Sequence, residues 1–185
     1  MKYDVIYADP PWTYNDKCHA GERGAGYKYD LMTVPEICAL PIRDIAADNC
    51  VLFMWWVGPQ PREALQVVDA WGFTLKNMTG FTWHKLTKNG HDHFGMGHWT
   101  RGNVENVLIA VRGKPKRSCA GVSQLVHAKV REHSQKPDEV KDQIFRLMGA
   151  SVNRVELFAR SKSAGWDVWG NEVKCDFEMP VTVDS

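Results

Sequence analysis

A tetrapeptide near the N-terminus, Asp9-Pro10-Pro11-Trp12, combines groups that could activate an amine of low nucleophilicity. The exocyclic amino group of adenine is such an amine, because its lone pair is delocalised into the ring. A carboxylate (Asp9) and a backbone carbonyl (Pro10) that accept both of its hydrogens would favour a pyramidal nitrogen. The two prolines hold that carbonyl in place before charge develops. Trp12 offers a flat face on which a base can stack, so the tetrapeptide predicts catalysis on a nucleobase amine.

Lys136 is a second candidate, because it precedes Pro137 at the predicted start of a helix. Unpaired N–H groups and the helix dipole favour an anion at such a position. A lysine is slightly unfavourable there unless it meets an anion, which argues for a functional role. The position therefore predicts a site for a small carboxylate.

Basic side chains are concentrated in two segments, although the chain as a whole is almost neutral. Lys plus Arg number 23 and Asp plus Glu 22, a net charge of +1, which excludes binding to nucleic acid by bulk charge alone. Residues 84–101 include four histidines and several glycines, which predicts a loop that closes over nucleic acid. Residues 112–117 form the second segment. The candidate phosphate and base contacts are His98, Trp99, Arg101, Lys114, Lys116 and Arg117.

Three other kinds of site are not supported by the sequence. His91-Asp92-His93 has no further carboxylate or cysteine at ligand spacing, so no metal site is predicted. The five cysteines include no CxxC pair, which argues against a disulfide framework and a zinc ribbon. Gly95-x-Gly97 lacks the third glycine of a dinucleotide-binding turn.

Strands that alternate with helices must position these residues. The alternation predicts a mostly parallel sheet with helices on both faces. Ligands bind such sheets at the carboxyl ends of the strands, here after Ala8, Val57 and Ala159. Thr33 and Glu36 match a capping box, and residues 12–30 read as a long loop. Strands are predicted at 3–8, 50–57, 73–84, 104–111 and 154–159, and helices at 34–40, 61–71 and 137–148. The predicted apolar face of the second helix is Ala64, Leu65, Val68 and Trp71. That of the third helix is Val140, Ile144, Leu147 and Met148, with Pro137 as its first helical residue.

Length and hydropathy indicate one domain over residues 1–185. A chain of 185 residues suits a single core. The longest apolar run, residues 50–57, is too short to span a bilayer. The predicted first strand begins at residue 3, so we expect no signal peptide. A cytoplasmic location is therefore predicted.

Several motifs, in one order along the chain, resemble a family of amino-methyltransferases. It is the family of the catalytic subunit of the eukaryotic messenger-RNA adenine-N6 methyltransferase, which also has smaller bacterial and phage members. The Asp-Pro-Pro-Trp tetrapeptide is typical of it. The other matching segments are Tyr29 through Ile42, Gly97-His98-Trp99 with Glu105 after it, residues 134–139, residues 156–160, Trp166, and Gly170-Asn171.

The resemblance implies a Rossmann-like α/β fold with a circularly permuted motif order, since the catalytic motif precedes the cofactor motif. It also implies S-adenosyl-L-methionine as cofactor. Lys136 would hold the cofactor carboxylate, and Arg160, Asn171, Glu172 and Lys162 the ribose. The implied catalytic residues are Asp9, Pro10, Pro11 and Trp12, with Asp9 also bordering the cofactor.

The expected reaction is methylation of adenine N6 in DNA, because compact relatives of this kind modify DNA. RNA adenine is the alternative substrate. A catalytically inactive, nucleic-acid-binding paralogue is the alternative of another class, which the intact tetrapeptide disfavours. No membrane partner is predicted, and a homodimer or a paralogous partner chain stays open.

Overall fold

One mixed sheet organises the computed structural model, which describes residues 1–13, 31–132 and 135–181. Its strand order is β5-β3-β4-β2-β1-β6-β7. β4 runs antiparallel to both of its neighbours, and every other neighbouring pair is parallel. The predicted mostly parallel sheet is therefore confirmed. The strands are β1 (Tyr3–Ala8), β2 (Ala46–Trp56), β3 (Thr74–Leu86), β4 (Val104–Arg112), β5 (Leu125–Lys129), β6 (Arg154–Leu157) and β7 (Asp167–Trp169).

Four helices are described, of which the sequence predicted three: α1 (Val34–Ala39), α2 (Ile42–Ile45), α3 (Pro61–Ala70) and α4 (Asp138–Met148). α2, β5 and β7 were not predicted. The capping box of α1 is present, because the Thr33 side chain accepts from the Glu36 N–H and Glu36 accepts from the Thr33 N–H. Pro137 is the N-cap of α4, not its first helical residue as predicted. The predicted loop at 12–30 lies outside the described residues from position 14 onward.

The helices cover both faces of the sheet, as predicted. One core cluster joins Ile6 of β1 to Ile37, Ile42 and Val68 from α1, α2 and α3. The other joins Val5 and Tyr7 of β1, on the opposite face, to Val140 and Ile144 of α4. None of the described helices has the length and apolar character needed to cross a membrane.

Leu65 departs from the predicted apolar face of α3. Its side chain is 37% exposed, whereas Ala64, Val67 and Val68 are buried. Val67 therefore takes the core position that the sequence pattern assigned to Leu65. The prediction was wrong at this residue because Leu65 and Val67 are both apolar and only two positions apart, so that composition alone does not fix the phase of the helix.

The strand directions define two edges of the sheet. One edge contains the ends of β1, β2, β3, β5, β6 and β7 and the start of β4, and we call it the carboxyl edge. The opposite edge contains the start of β1 and the end of β4, where Arg112 pairs with Cys50. Loops after parallel strands gather at one edge, so residues distant in sequence meet at the carboxyl edge.

Candidate active site

Asp9 lies at the carboxyl edge, one residue after β1, which is flanked by β2 and β6. It borders a cavity of about 340 Å³. The charged side chains that line this cavity come from four separate parts of the chain and include Asp9, Lys136, Lys141, Glu156, Arg160 and Glu172. The predicted location of the site at the ends of the strands agrees with this arrangement.

Lys136 connects Asp9 to a second carboxylate. Its Nζ lies 3.4 Å from Asp9 Oδ2 and 3.2 Å from Glu105 Oε1. It also lies 5.3 Å from the centroid of the Trp55 ring, in cation–π geometry. Glu105 in turn is 2.8 Å from Lys85 Nζ. The result is a chain of alternating charges, which lowers the cost of burying each one.

The pKa values of Asp9, Glu105 and Lys136 are shifted. Burial raises the pKa of Asp9, and the attraction of Lys136 only partly opposes that rise. Burial alone would raise the pKa of Glu105 as well, but Lys136 and Lys85 together outweigh it and the pKa is lowered. The pKa of Lys136 is raised, since Asp9 and Glu105 outweigh the effect of burial. Lys136 therefore stays cationic, while Asp9 retains more affinity for a proton than an ordinary aspartate.

A second buried pair, Lys141 and Glu156, lines the same cavity from α4 and β6. Lys141 Nζ lies 3.0 Å from Glu156 Oε2 and donates to Ser163 Oγ at 2.7 Å. Burial raises the pKa of Glu156, and Lys141 opposes the rise. The cavity thus presents cationic and anionic groups side by side.

Apart from Asp9, three of the residues predicted to bind a cofactor line the cavity: Lys136, Arg160 and Glu172. Glu172 reaches it because Gly170 lets the segment after β7 pack closely on the residues that follow β6. A Cβ at Gly170 would lie 2.3 Å from the Ala159 carbonyl oxygen. Ala159 N–H also donates to the Trp169 carbonyl at 3.0 Å.

Asn171 and Lys162 are not among the cavity-lining residues. Asn171 is exposed. The ammonium of Lys162 instead forms an ion pair with Asp176, whose carboxylate also accepts from the Val168 N–H. The structure therefore does not bring these two predicted residues to the cavity wall: Asp176 pairs with the Lys162 ammonium, and Asn171 is exposed to water.

Trp12 is a core residue in this conformation. It is 5% exposed, and its Nε1–H donates to the Trp55 carbonyl at 3.0 Å. The Trp12 ring therefore offers no free face for the predicted stacking of a base in this conformation, because it packs within the core. Pro10 is buried, Pro11 is half-buried, and the Pro10 carbonyl accepts from the Trp12 N–H at 2.8 Å. A carbonyl oxygen has a second lone pair, so the predicted acceptor role of Pro10 stays compatible with the geometry.

The two basic segments lie at different edges of the sheet. His98, Trp99 and Arg101 belong to the connection between β3 and β4, at the carboxyl edge, and all three are exposed. Lys114, Lys116 and Arg117 follow β4 at the opposite edge, where the Lys114 N–H donates to Asn49 Oδ1 at 2.8 Å. The two segments lie at opposite edges because β4 runs antiparallel and carries the second segment away from Asp9.

Sequence reasoning gave no role to several residues of the site. Glu105 and Lys85 complete the charge chain of Lys136, and Lys141 and Glu156 form the second pair. Glu156 did carry a signal, since it is a charged residue inside an apolar strand and a buried charge needs a partner. The described residues contain no group of three potential metal ligands.

Most of the chain is similar in sequence to known proteins. The MT-A70 family model matches residues 3–172. The type II methyltransferase M.MunI of Mycoplasma sp is 35% identical over 93% of this chain and 78% of its own length. The human N(6)-adenosine-methyltransferase catalytic subunit METTL3 is 27% identical over 93% of this chain and 28% of its own length. An Arabidopsis thaliana N(6)-adenosine-methyltransferase MT-A70-like protein is 27% identical over 92% of this chain and 24% of its own length. The chain therefore spans about a quarter of the length of these two longer relatives.

Proposed function

The chain belongs to the MT-A70 family of methyltransferases, and from this premise we propose that it transfers a methyl group from S-adenosyl-L-methionine to N6 of adenine in DNA. The observation that carries the proposal is the position of Asp9. Its half-buried carboxylate borders a charged cavity at the carboxyl edge and is held 3.4 Å from Lys136. That is the place and the group needed to bind an amine beside a zwitterionic cofactor.

The side chains of the cavity fit such a cofactor. S-adenosyl-L-methionine supplies an electrophilic methyl carbon on a positively charged sulfur. Lys136 and Arg160 offer cations, and Glu172 offers an acceptor for ribose hydroxyls. Lys136 has three N–H donors, so it can meet a ligand carboxylate while it still contacts Asp9 and Glu105. Asn171 and Lys162 are proposed to bind the ribose only after their side chains reorient.

Asp9 has two tasks in the reaction. Before transfer, its carboxylate accepts one N–H of the adenine amine while the second lone pair of the Pro10 carbonyl accepts the other. A nitrogen that accepted the methyl group the cofactor would supply would become positively charged and would have to lose a proton. Because burial raises the pKa of Asp9, its carboxylate is well suited to take that proton.

The two classes of relatives support different parts of the proposal. Those named N(6)-adenosine-methyltransferases support N6 of adenine as the acceptor. We favour DNA over RNA because the type II methyltransferase has the higher identity, 35% against 27%, and is matched over more of its own length. RNA adenine is the second candidate substrate, favoured by the names of the longer relatives.

Transfer of tritiated methyl groups tests this proposal. Purified protein is incubated with labelled S-adenosyl-L-methionine and with DNA and RNA of matched sequence, and the products are digested to nucleosides. We expect label in N6-methyldeoxyadenosine. Label on cytosine, or on RNA adenine with none on DNA, would contradict the proposed substrate. Cofactor binding without any product on either polymer would support the inactive paralogue.

A further inference from the structure

The connection between β3 and β4 presents three exposed apolar side chains that the mechanism above does not use. Phe94 is 68% exposed, Met96 is 90% exposed and Trp99 is fully exposed. They lie within residues 93–102, which we call the hairpin tip. Apolar side chains held together in water mark a contact surface.

The backbone of the hairpin tip has a defined shape. His93 N–H donates to the Lys85 carbonyl at 3.0 Å, and Gly95 N–H donates to the Gly102 carbonyl at 2.8 Å. Its two arms are packed so closely that a Cβ at Gly97 would lie 2.2 Å from the Thr100 carbonyl oxygen. The tip is thus a tight turn on a rigid base.

Trp99 occupies a backbone conformation that its side chain disfavours. Its φ is 66°, and the Thr100 N–H donates to the His98 carbonyl at 2.8 Å, so Trp99 is the central residue of a three-residue turn. Such a conformation is unfavourable for a residue with a side chain. The fold therefore accepts a backbone cost to hold a large aromatic ring in water.

A series of ion pairs connects the base of the tip to the proposed catalytic group. Lys85, at its base, contacts Glu105, and Lys136 connects Glu105 to Asp9. Residues 87–103 contain Lys88, Arg101 and three histidines against one carboxylate, Asp92. That carboxylate already lies 2.8 Å from His84 Nε2. An exposed aromatic ring among basic groups is complementary to the stacked bases and phosphates of nucleic acid.

We propose that Trp99 is a wedge that enters the base stack of duplex DNA beside the target adenine and fills the space left when that adenine is extruded toward Asp9. This inference rests on the proposed function, since it concerns how the same site obtains its base. Extrusion from a paired duplex costs a few kcal/mol, and a ring that stacks in the gap offsets part of that cost. A single strand needs no such wedge.

The test compares Trp99→Ala with wild-type protein on three DNA substrates of one sequence: a paired duplex, a duplex with a mismatch opposite the target adenine, and the single strand. We expect Trp99→Ala to lower kcat/KM on the paired duplex roughly tenfold or more, and to approach wild type on the other two. Trp99→Phe should retain part of the activity. Leu65→Ala, which removes an exposed apolar side chain of α3, is the control.

A second readout follows extrusion itself. With 2-aminopurine at the target position of the duplex, wild-type protein should raise the fluorescence and Trp99→Ala should not. Unchanged activity on the paired duplex, or an equal loss on all three substrates, would overturn the wedge. A Trp99→Ala protein that loses a dimer in sedimentation would overturn it too, by showing that the tip binds a second copy. If wild type methylates none of the three, the proposed function itself fails.

Discussion

The lysine side chains at the two edges of the sheet differ in their exposure to water. At the carboxyl edge, Lys136 and Lys141 are 16% and 12% exposed, and each contacts carboxylates. At the opposite edge, Lys114 and Lys116 follow β4 and are exposed to water. Desolvating a charge is costly and exposing it is not. The carboxyl edge therefore holds desolvated charges of both signs around one cavity, which is the expected arrangement where chemistry occurs. Arg154, at the start of β6 near the opposite edge, is also buried, but its guanidinium donates to the Gly149 and Ala150 carbonyls and, among the described residues, faces no carboxylate cluster.

The largest effect should come from removing the Asp9 carboxylate. Asp9→Asn keeps the shape but loses the anionic acceptor, so we expect the single-turnover rate to fall by about 10²–10³. Cofactor affinity, measured by calorimetry, should stay within a few-fold of wild type. Asp48→Asn, at an exposed position of β2 near the opposite edge, should leave both quantities unchanged. If Asp9→Asn kept its turnover, a carboxylate at the carboxyl edge would matter no more for the reaction than one at the opposite edge.

Lys136→Met should act first on the cofactor. Loss of one charge-assisted contact should weaken binding of S-adenosyl-L-methionine by about 1.5–3 kcal/mol, because the ligand carboxylate loses its cation. Isothermal titration measures this directly. Lys116→Met is the matched control at the opposite edge and should bind the cofactor like wild type. Equal affinity in Lys136→Met would exclude the proposed carboxylate site.

The salt dependence of DNA binding distinguishes the two basic segments. Arg101→Gln should reduce the slope of log K against log salt by about 0.9 for a lost duplex phosphate contact. The combined change Lys114→Gln, Lys116→Gln and Arg117→Gln should leave the slope unchanged, since these residues lie at the opposite edge. A flatter slope in the triple variant would support the sequence-based prediction that both segments contact the nucleic acid.

The smallest effect concerns the acidic limb of the kcat/KM profile against pH. Activity requires ionised Asp9, whose pKa is raised by burial and by Glu105 and lowered by Lys136. Lys136→Met removes the lowering charge, so the limb should move to higher pH. Glu105→Gln removes a raising charge, and the limb should move to lower pH. Shifts in the same direction would show that Asp9 is not the titrating group.

The sequence predicted the central strands and the long helices because their apolar patterns are strong. It did not predict β5, where residues 125–129 alternate exposed and buried positions and include His127 and Lys129. β7 has three residues, too few for a pattern. Both strands lie at the ends of the strand order, and pairing with β3 and β6 defines them more than local composition does.

Within the site, local sequence indicated Asp9 and Lys136 but not the groups between them. Glu105 meets Lys136 only because β4 runs antiparallel and begins at the carboxyl edge. The same reversal of direction carries Lys114 and its neighbours to the opposite edge. Strand direction is a property of long-range pairing, so no spacing along the chain could have placed either group.

Amide hydrogen exchange with and without S-adenosyl-L-methionine tests most directly whether the carboxyl edge is the functional one. Mass spectrometry resolves the exchange of separate peptides and requires no knowledge of the nucleic-acid substrate. We predict slower exchange in the cofactor complex for residues 135–141, 158–163 and 170–172, with no change for residues 112–120. Slower exchange at 112–120, with none at the carboxyl edge, would contradict the account.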